Sequence, residues 1–367
     1  MQLHATAGEL AAAAKVAASV VDSAATKRFA ILGTLLIEGT GDAVTFTGTD
    51  LDLAITTICA GAIKEAGRTA CAAEALSRLL AGVATDVEVA VTADTSGLRI
   101  TAGRARYRLP VLPAEDYPQS PTVTTGTELV LSKTQVQRLF GSTAFAISDE
   151  KARYYLNGAY LHCDQLGRLC VVATDTHQMA LVKSMIEPDP GTLPAAGVIV
   201  PQRTVEQILK LKADEIVVRT DGNAIEARAG NITIASKLIA GTYPDFRRII
   251  SVEPVATGEL DRAALLAALQ RMDAANTQRK TWRVMLTWAA GGDAVQLAVA
   301  GGEMAVDAIA ATVSGEANIM LAVDRLLTLV DAIHAKRLTL GVVSADEPLR
   351  IRPADDGDLL TVLAPCH

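Results

Sequence analysis

Asp175 and His177 stand two residues apart in the apolar run from Val171 to Leu181. Residues two apart on a strand share a face, so a carboxylate beside an imidazole would suit acid–base work or one side of a metal site. Read as a hydrolase centre, the pair predicts metal-dependent activity that is lost on His177→Ala. The segment Thr47-Gly48-Thr49-Asp50-Leu51-Asp52-Leu53-Ala54-Ile55 points elsewhere, because it resembles Val172 to Ala180 and carries Asp50 at the place of Asp175 with no histidine two residues on. A turn aspartate that satisfies neighbouring backbone N–H groups explains both copies. Just upstream, Arg153-Tyr154-Tyr155-Leu156-Asn157-Gly158 forms a basic-aromatic cluster. Two adjacent tyrosines on a strand point to opposite faces, and Tyr154 is expected to be the exposed one.

The remaining chemistry-bearing residues exclude more than they suggest. The five cysteines, Cys59, Cys71, Cys163, Cys170 and Cys366, are odd in number and form no CxxC pair, so neither a disulfide framework nor a zinc knuckle is indicated. Gly291-Gly292 and Gly301-Gly302 lack the strand–turn–helix context of a phosphate loop or a dinucleotide turn. No cofactor and no metal is expected.

The elements that must position these residues recur. Three segments open with a strand and an amphipathic helix: Gln2 to His4 then Gly8 to Val21, Glu128 to Leu131 then Thr134 to Ile147, and Gly258 to Leu260 then Ala263 to Ala274. Each then runs through strands into a second helix, at Cys71 to Leu80, Val200 to Leu209 and Leu321 to Val330. Each second helix is followed by an alternating hairpin, with turns at Ser96-Gly97, Asp221-Gly222-Asn223 and Ala345 to Pro348. The repeat interval is roughly 125 residues, a domain length. The Pro- and Gly-containing links Pro113 to Thr127 and Ile249 to Gly258 set boundaries at 1–124, 125–252 and 253–367. The predicted class is α+β, with helices on one side of antiparallel sheet.

The chain has 367 residues, 50% of them hydrophobic and 4% aromatic. No window approaches eighteen uninterrupted apolar residues and the N-terminus lacks a leader pattern, which predicts a cytoplasmic protein. Net charge is −7 and the isoelectric point about 5.4, which by itself argues against phosphate binding. Distribution counters that argument: basic residues concentrate on the six helices and acidic ones in strands and turns.

Four blocks in order, Arg153 to Gly158 with Val171 to Leu181, Val200-Pro201, Ser236-Lys237-Leu238 and Gly241-Thr242-Tyr243-Pro244-Asp245-Phe246-Arg247-Arg248, resemble the bacterial DNA polymerase III beta subunit, the replicative sliding clamp. The resemblance implies a non-enzymatic processivity factor: three clamp domains that form half of a head-to-tail homodimeric ring around duplex DNA. Helices would touch phosphates without reading bases. It implies DNA contacts at Lys27, Arg28, Lys133, Arg138, Arg153, Tyr154 and Arg203. It implies a pocket for short linear peptides of polymerase and clamp-loader subunits, built from Leu156, Thr174, His177, Met179, Pro244, Arg248, Ile249, Val362, Leu363, Ala364, Pro365 and Cys366. And it implies a dimer interface with Arg104, Arg106, Tyr107 and Leu109 on one side and Glu303 and Asp307 on the other.

Departures from the family pattern qualify two of these sites. Its usual Gly-His-Arg-Leu is here Thr176-His177-Gln178-Met179, and its Met-Pro-Met ending is Ala364-Pro365-Cys366, which predicts a larger or flatter pocket and altered peptide affinity. Facing Arg104 and Arg106, the basic Arg279 and Lys280 would repel, although exposed pairs are worth only about 0–1 kcal/mol each. The alternative reading is a diverged clamp-like interaction protein that binds partners without closing a stable ring.

Overall fold

The computed structural model describes residues 1–21, 29–275, 282–300 and 305–366. Lys27, Arg28, Arg279, Lys280 and Glu303 lie outside them. One order of elements recurs three times: strand, helix, four strands, helix, three strands. The first copy runs β1 (Gln2–Thr6), α1 (Ala7–Ala18), β2 (Thr34–Thr40), β3 (Ala43–Thr49), β4 (Leu53–Ala60), a short β5 (Ala62–Glu65) that continues β4, and β6 (Gly67–Ala72). It ends with α2 (Ala73–Ala81), β7 (Glu88–Asp94), β8 (Gly97–Ala102) and β9 (Ala105–Leu109), followed by a two-residue β10 (Val111–Leu112).

In the second copy, β11 (Leu129–Ser132) leads into α3 (Lys133–Val136), then β12 (Gly158–Cys163), β13 (Leu169–Thr174), β14 (Gln178–Lys183) and β15 (Val198–Pro201). It closes with α4 (Gln202–Leu209), β16 (Glu215–Thr220), β17 (Ala224–Ala229) and β18 (Ile232–Lys237). The third comprises β19 (Ala256–Asp261), α5 (Arg262–Ala274), β20 (Arg283–Trp288), β21 (Ala294–Ala300), β22 (Val306–Ser314), β23 (Ala317–Ala322), α6 (Val323–Ala332), β24 (Arg337–Val342), β25 (Leu349–Pro353) and β26 (Leu359–Leu363).

Local chemistry explains the helix boundaries. Thr6 caps α1 by accepting from the Glu9 N–H at 3.3 Å, and its hydroxyl donates to the Glu9 carboxylate at 2.8 Å. Asp261 caps α5 by accepting from the Ala264 N–H at 2.8 Å. The expected helix Thr134 to Ile147 is corrected: only one α-turn forms, followed by a π-turn at Gln137–Gly141 and a 3-10 turn at Ala144–Ala146. There the Thr143 hydroxyl donates to the Leu139 and Phe140 carbonyls, competing with continuation of the helix.

The chain divides into two compact units. The first holds residues 1–133, 191–193 and 210–238. Its core packs the Ala-rich face of α1 and Leu76 and Leu80 of α2 against Leu35, Ile37, Val44 and Phe46. Small residues let α1 settle very close to β3, where a Cβ on Gly48 would stand 2.1 Å from the Ala17 carbonyl oxygen. The second unit holds residues 134–190, 194–209 and 239–367. Its sheet runs β15-β12-β13-β14-β26-β25-β24-β19-β22-β21-β20-β23. Arg262 ties its two long helices together, donating to the carbonyls of Val330 and Asp331 at the end of α6.

Candidate functional site

The run from Val171 to Leu181 is not one strand. It breaks after Thr174 and resumes at Gln178, so Asp175, Thr176 and His177 form a hairpin turn. Asp175 Oδ1 accepts the N–H groups of His177 and Gln178, both at 2.8 Å, and Thr174 Oγ1 donates to the Gln178 carbonyl at 2.7 Å while accepting from the Thr176 N–H at 3.0 Å. The same Thr-Asp device closes the β3–β4 turn through Thr49 and Asp50 and the β16–β17 turn through Thr220 and Asp221. Each turn needs a left-handed residue after the aspartate: Leu51 at φ 84°, Thr176 at φ 78° and Gly222 at φ 89°.

This corrects the acid–base reading. One Asp175 oxygen is spent on two backbone donors, and the other accepts from Arg325 at 3.2 Å and from the Gln178 amide at 3.3 Å. The His177 ring is exposed. Among the described residues no cluster of His, Cys, Asp and Glu could hold a metal ion.

What the turn does is form the rim of an apolar floor. Leu156, Met179 and Val362 are buried in one cluster with Cys170, Val172, Leu181, Ile199, Tyr243 and Phe246. Thr174 is buried beside them, and Pro244, Arg248 and Ile249 are exposed on the loop above. The C-terminal segment is stitched in by two backbone bonds: the Ala364 N–H donates to the His177 carbonyl at 2.7 Å and the Cys366 N–H to the Met320 carbonyl at 2.8 Å. Leu363 departs from the expected set. Strand alternation turns it away from Val362, and it is fully buried.

Tyr243 and Phe246 were missed as site residues. Tyr243 stacks on Tyr160 at 4.8 Å, Tyr160 on His162 at 4.6 Å, and Phe246 meets His162 edge-on at 5.6 Å. Burial in that stack lowers the His162 pKa below the usual imidazole value. Their signal in the sequence was two aromatics flanking Pro244-Asp245 in an aromatic-poor chain. Beside the stack opens a groove of about 890 Å³.

The expected DNA contacts fall in different states. Arg153 and Tyr154 sit on a 3-10 segment (Lys151–Leu156) rather than on a strand. Tyr154 is 56% exposed while Tyr155 is half-buried, and Arg153 lies 3.1 Å from Glu150. Lys133 and Arg203 are exposed. Arg138 is committed elsewhere: its guanidinium grips both oxygens of Asp356 at 2.6 and 2.9 Å.

The strand pairing follows a rule. The third strand after the first helix of copy one, β4, pairs with the third strand after the second helix of copy two, β18, through Leu53–Thr57 and Ile232–Ser236. β14 pairs with β26 in the same way, through Gln178–Val182 and Leu359–Leu363. The next members of the series are β22 and β9. Among the described residues β9 pairs only with β8, and the Val306–Ala310 part of β22 pairs only with β21. Both edges carry exposed apolar residues, Tyr107 at 43% and Val306 at 64%. Asp307 is held by Arg271 within the chain.

Comparison with known proteins decides the family. The DNA polymerase III beta subunit N-terminal domain matches residues 1–121 and the central domain residues 130–245. The chain belongs to the DNA polymerase III beta subunit family. It is 33% identical over 250 residues to the beta sliding clamp of Caulobacter vibrioides, a match spanning 66% of this chain and 67% of that one. The solved pol III beta of Caulobacter crescentus superposes with a TM-score of 0.91 at 27% identity, covering 100% of both chains. A sliding clamp from Bartonella birtlesii bound to griselimycin gives 0.92 at 28% identity, covering 100% of this chain and 99% of that one. The threefold order of elements in this beta-subunit relative is therefore that of a clamp.

Proposed function

We propose that this chain is a DNA sliding clamp that closes with a second copy around duplex DNA and tethers the replicative polymerase in the cytoplasm. It is a processivity factor and not an enzyme. The observation that carries the ring is the pair of open edges: the β4–β18 and β14–β26 joints repeat one pairing, and β22 of one copy against β9 of the next continues it head to tail. Strand addition supplies the backbone bonds, and Tyr107 with Val306 supplies apolar contact. Arg104, Arg106 and Leu109 complete one side; Asp307, already paired with Arg271, contributes less charge than its position suggests.

Clamp domains at 1–124, 125–252 and 253–367 follow from the threefold repeat. DNA passes through without base readout, its phosphates met by Lys133, Arg203, Arg153 and Tyr154, with Arg138 serving the fold first. Short peptides of polymerase and clamp-loader subunits dock over Leu156, Met179 and Val362, with Thr174, His177, Pro244, Arg248, Ile249 and the segment Ala364-Pro365-Cys366 around them.

Two measurements test this. Light scattering over a concentration series at moderate salt is expected to show a dimer into the submicromolar range. Loaded clamp is expected to stay on nicked circular DNA at high salt and to leave once the circle is cut, because topological linkage resists salt whereas phosphate contacts do not. A monomer throughout, with salt-sensitive release from circles, would establish instead a clamp-like protein that has lost encirclement.

A further inference from the structure

The apolar floor of the docking site runs on, along the same two strands, into a charged pocket. Leu181 lies two residues beyond Met179 on β14, and Leu360 two residues before Val362 on β26, so all four side chains share one face. Past Leu181 and Leu360 opens a cavity of about 190 Å³ whose polar lining includes Lys183, Glu253, Arg350 and Arg352. Arg350 is only 9% exposed. Its Nη2 donates to the Ile249 carbonyl at 3.2 Å, and none of Lys183, Arg350 and Arg352 joins an ion pair among the described residues. Asp358, also in the lining, lies 3.6 Å from Arg168 instead.

A guanidinium has five donors in a planar fork, and burying its charge is costly without an anionic partner. Burial depresses the Arg350 pKa; the Glu253 and Glu347 carboxylates oppose that effect without forming an ion pair with it among the described residues, and Arg352 reinforces it. An anion in direct contact would add to the opposition those carboxylates already supply.

We propose that this pocket receives a carboxylate of the docking peptide, an Asp or Glu side chain just beyond its apolar anchors. The assignment rests on the peptide-docking reading above. Two observations favour a peptide over a free anion. The carbonyl that fixes Arg350 belongs to Ile249, the rim residue of the docking site, and the floors of the two sites are continuous through Leu181 and Leu360. The separation is two strand residues, about 7 Å, within reach of a side chain one or two positions past an anchor.

The test uses two fluorescein-labelled peptides with the same Leu and Phe anchors, one carrying Asp and the other Asn at the two positions on either side of the anchor block. Fluorescence anisotropy with the full chain is expected to give about tenfold tighter binding of the Asp peptide at low salt, the gap narrowing as salt rises. Arg350→Gln is expected to equalise the two peptides, whatever the loss of its bond to the Ile249 carbonyl does to the affinity common to both. Arg352→Gln, at an exposed position that does not threaten folding, is expected to narrow the gap about two- to threefold. Equal binding of both peptides to the native chain, or a preference that survives both variants, overturns the acid pocket and leaves peptide docking intact. Binding of neither peptide removes the docking reading and the acid pocket with it.

Discussion

At the scale of single residues, the Thr-Asp turn shows how one device is reused at different conformational cost. Asp50, Asp175 and Asp221 make equivalent pairs of backbone bonds, yet only the third turn places glycine at the left-handed position. A β-branched Thr176 at φ 78° is strained. Thr176→Gly is expected to raise stability by up to about 1 kcal/mol, the relieved strain being partly offset by the glycine's chain entropy, read as a higher urea midpoint at unchanged slope. His177→Ala is expected to leave stability within about 0.5 kcal/mol, since the Ala364 bond uses the His177 carbonyl and not its ring. A large loss on this substitution in the same urea titration would mean that the imidazole carries a contact absent from this geometry.

At the scale of elements, two joints carry more than their size suggests. The contact of α1 on β3 depends on Gly48, where an added Cβ meets the Ala17 carbonyl oxygen at 2.1 Å. Gly48→Ala is expected to cost about 1–3 kcal/mol in denaturant unfolding, because the obstacle is backbone and cannot rotate away. The Arg138–Asp356 pair clips the first turns of the second copy to the turn before β26, and the Arg138 guanidinium holds the Asp356 carboxyl below its ordinary pKa. A depressed native pKa contributes stability that is full above the unfolded value of about 3.9 and is lost as pH falls through the native value. The native chain and Arg138→Gln should therefore differ by about 1 kcal/mol at pH 7 and converge in acid, measured by urea unfolding from pH 7 to 3.

At the scale of the whole molecule, the proposed assembly turns on two short edges. If β9 and β22 join copies, carboxylates in place of Tyr107 and Val306 would be buried in that joint without partners. Tyr107→Asp with Val306→Asp is expected to weaken the dimer at least a hundredfold and to abolish retention on circular DNA, while the far-ultraviolet circular dichroism spectrum stays unchanged. Arg104→Ala, by contrast, should shift the dimer constant less than about fivefold, as an exposed charge does.

Periodicity and turn chemistry in the sequence determined the threefold order of elements, five of the six helices and all three hairpins after the second helices, because these are local properties of the chain; the helix expected from Thr134 to Ile147 broke up after one α-turn. The ordered blocks of residues pointed to the family. Three things were decided only by tertiary structure. The strand through Asp175 became a turn, since backbone donors compete for a carboxylate that alternation alone assigns to a face. Arg138 and Asp307 found partners distant in sequence, and no local pattern reports an ion pair across the fold. The charged pocket beside the apolar floor appeared only when Lys183 of β14 and Arg350 and Arg352 of β25 came together from two strands, for burial is a property of everything packed around a side chain and not of its neighbours in the chain.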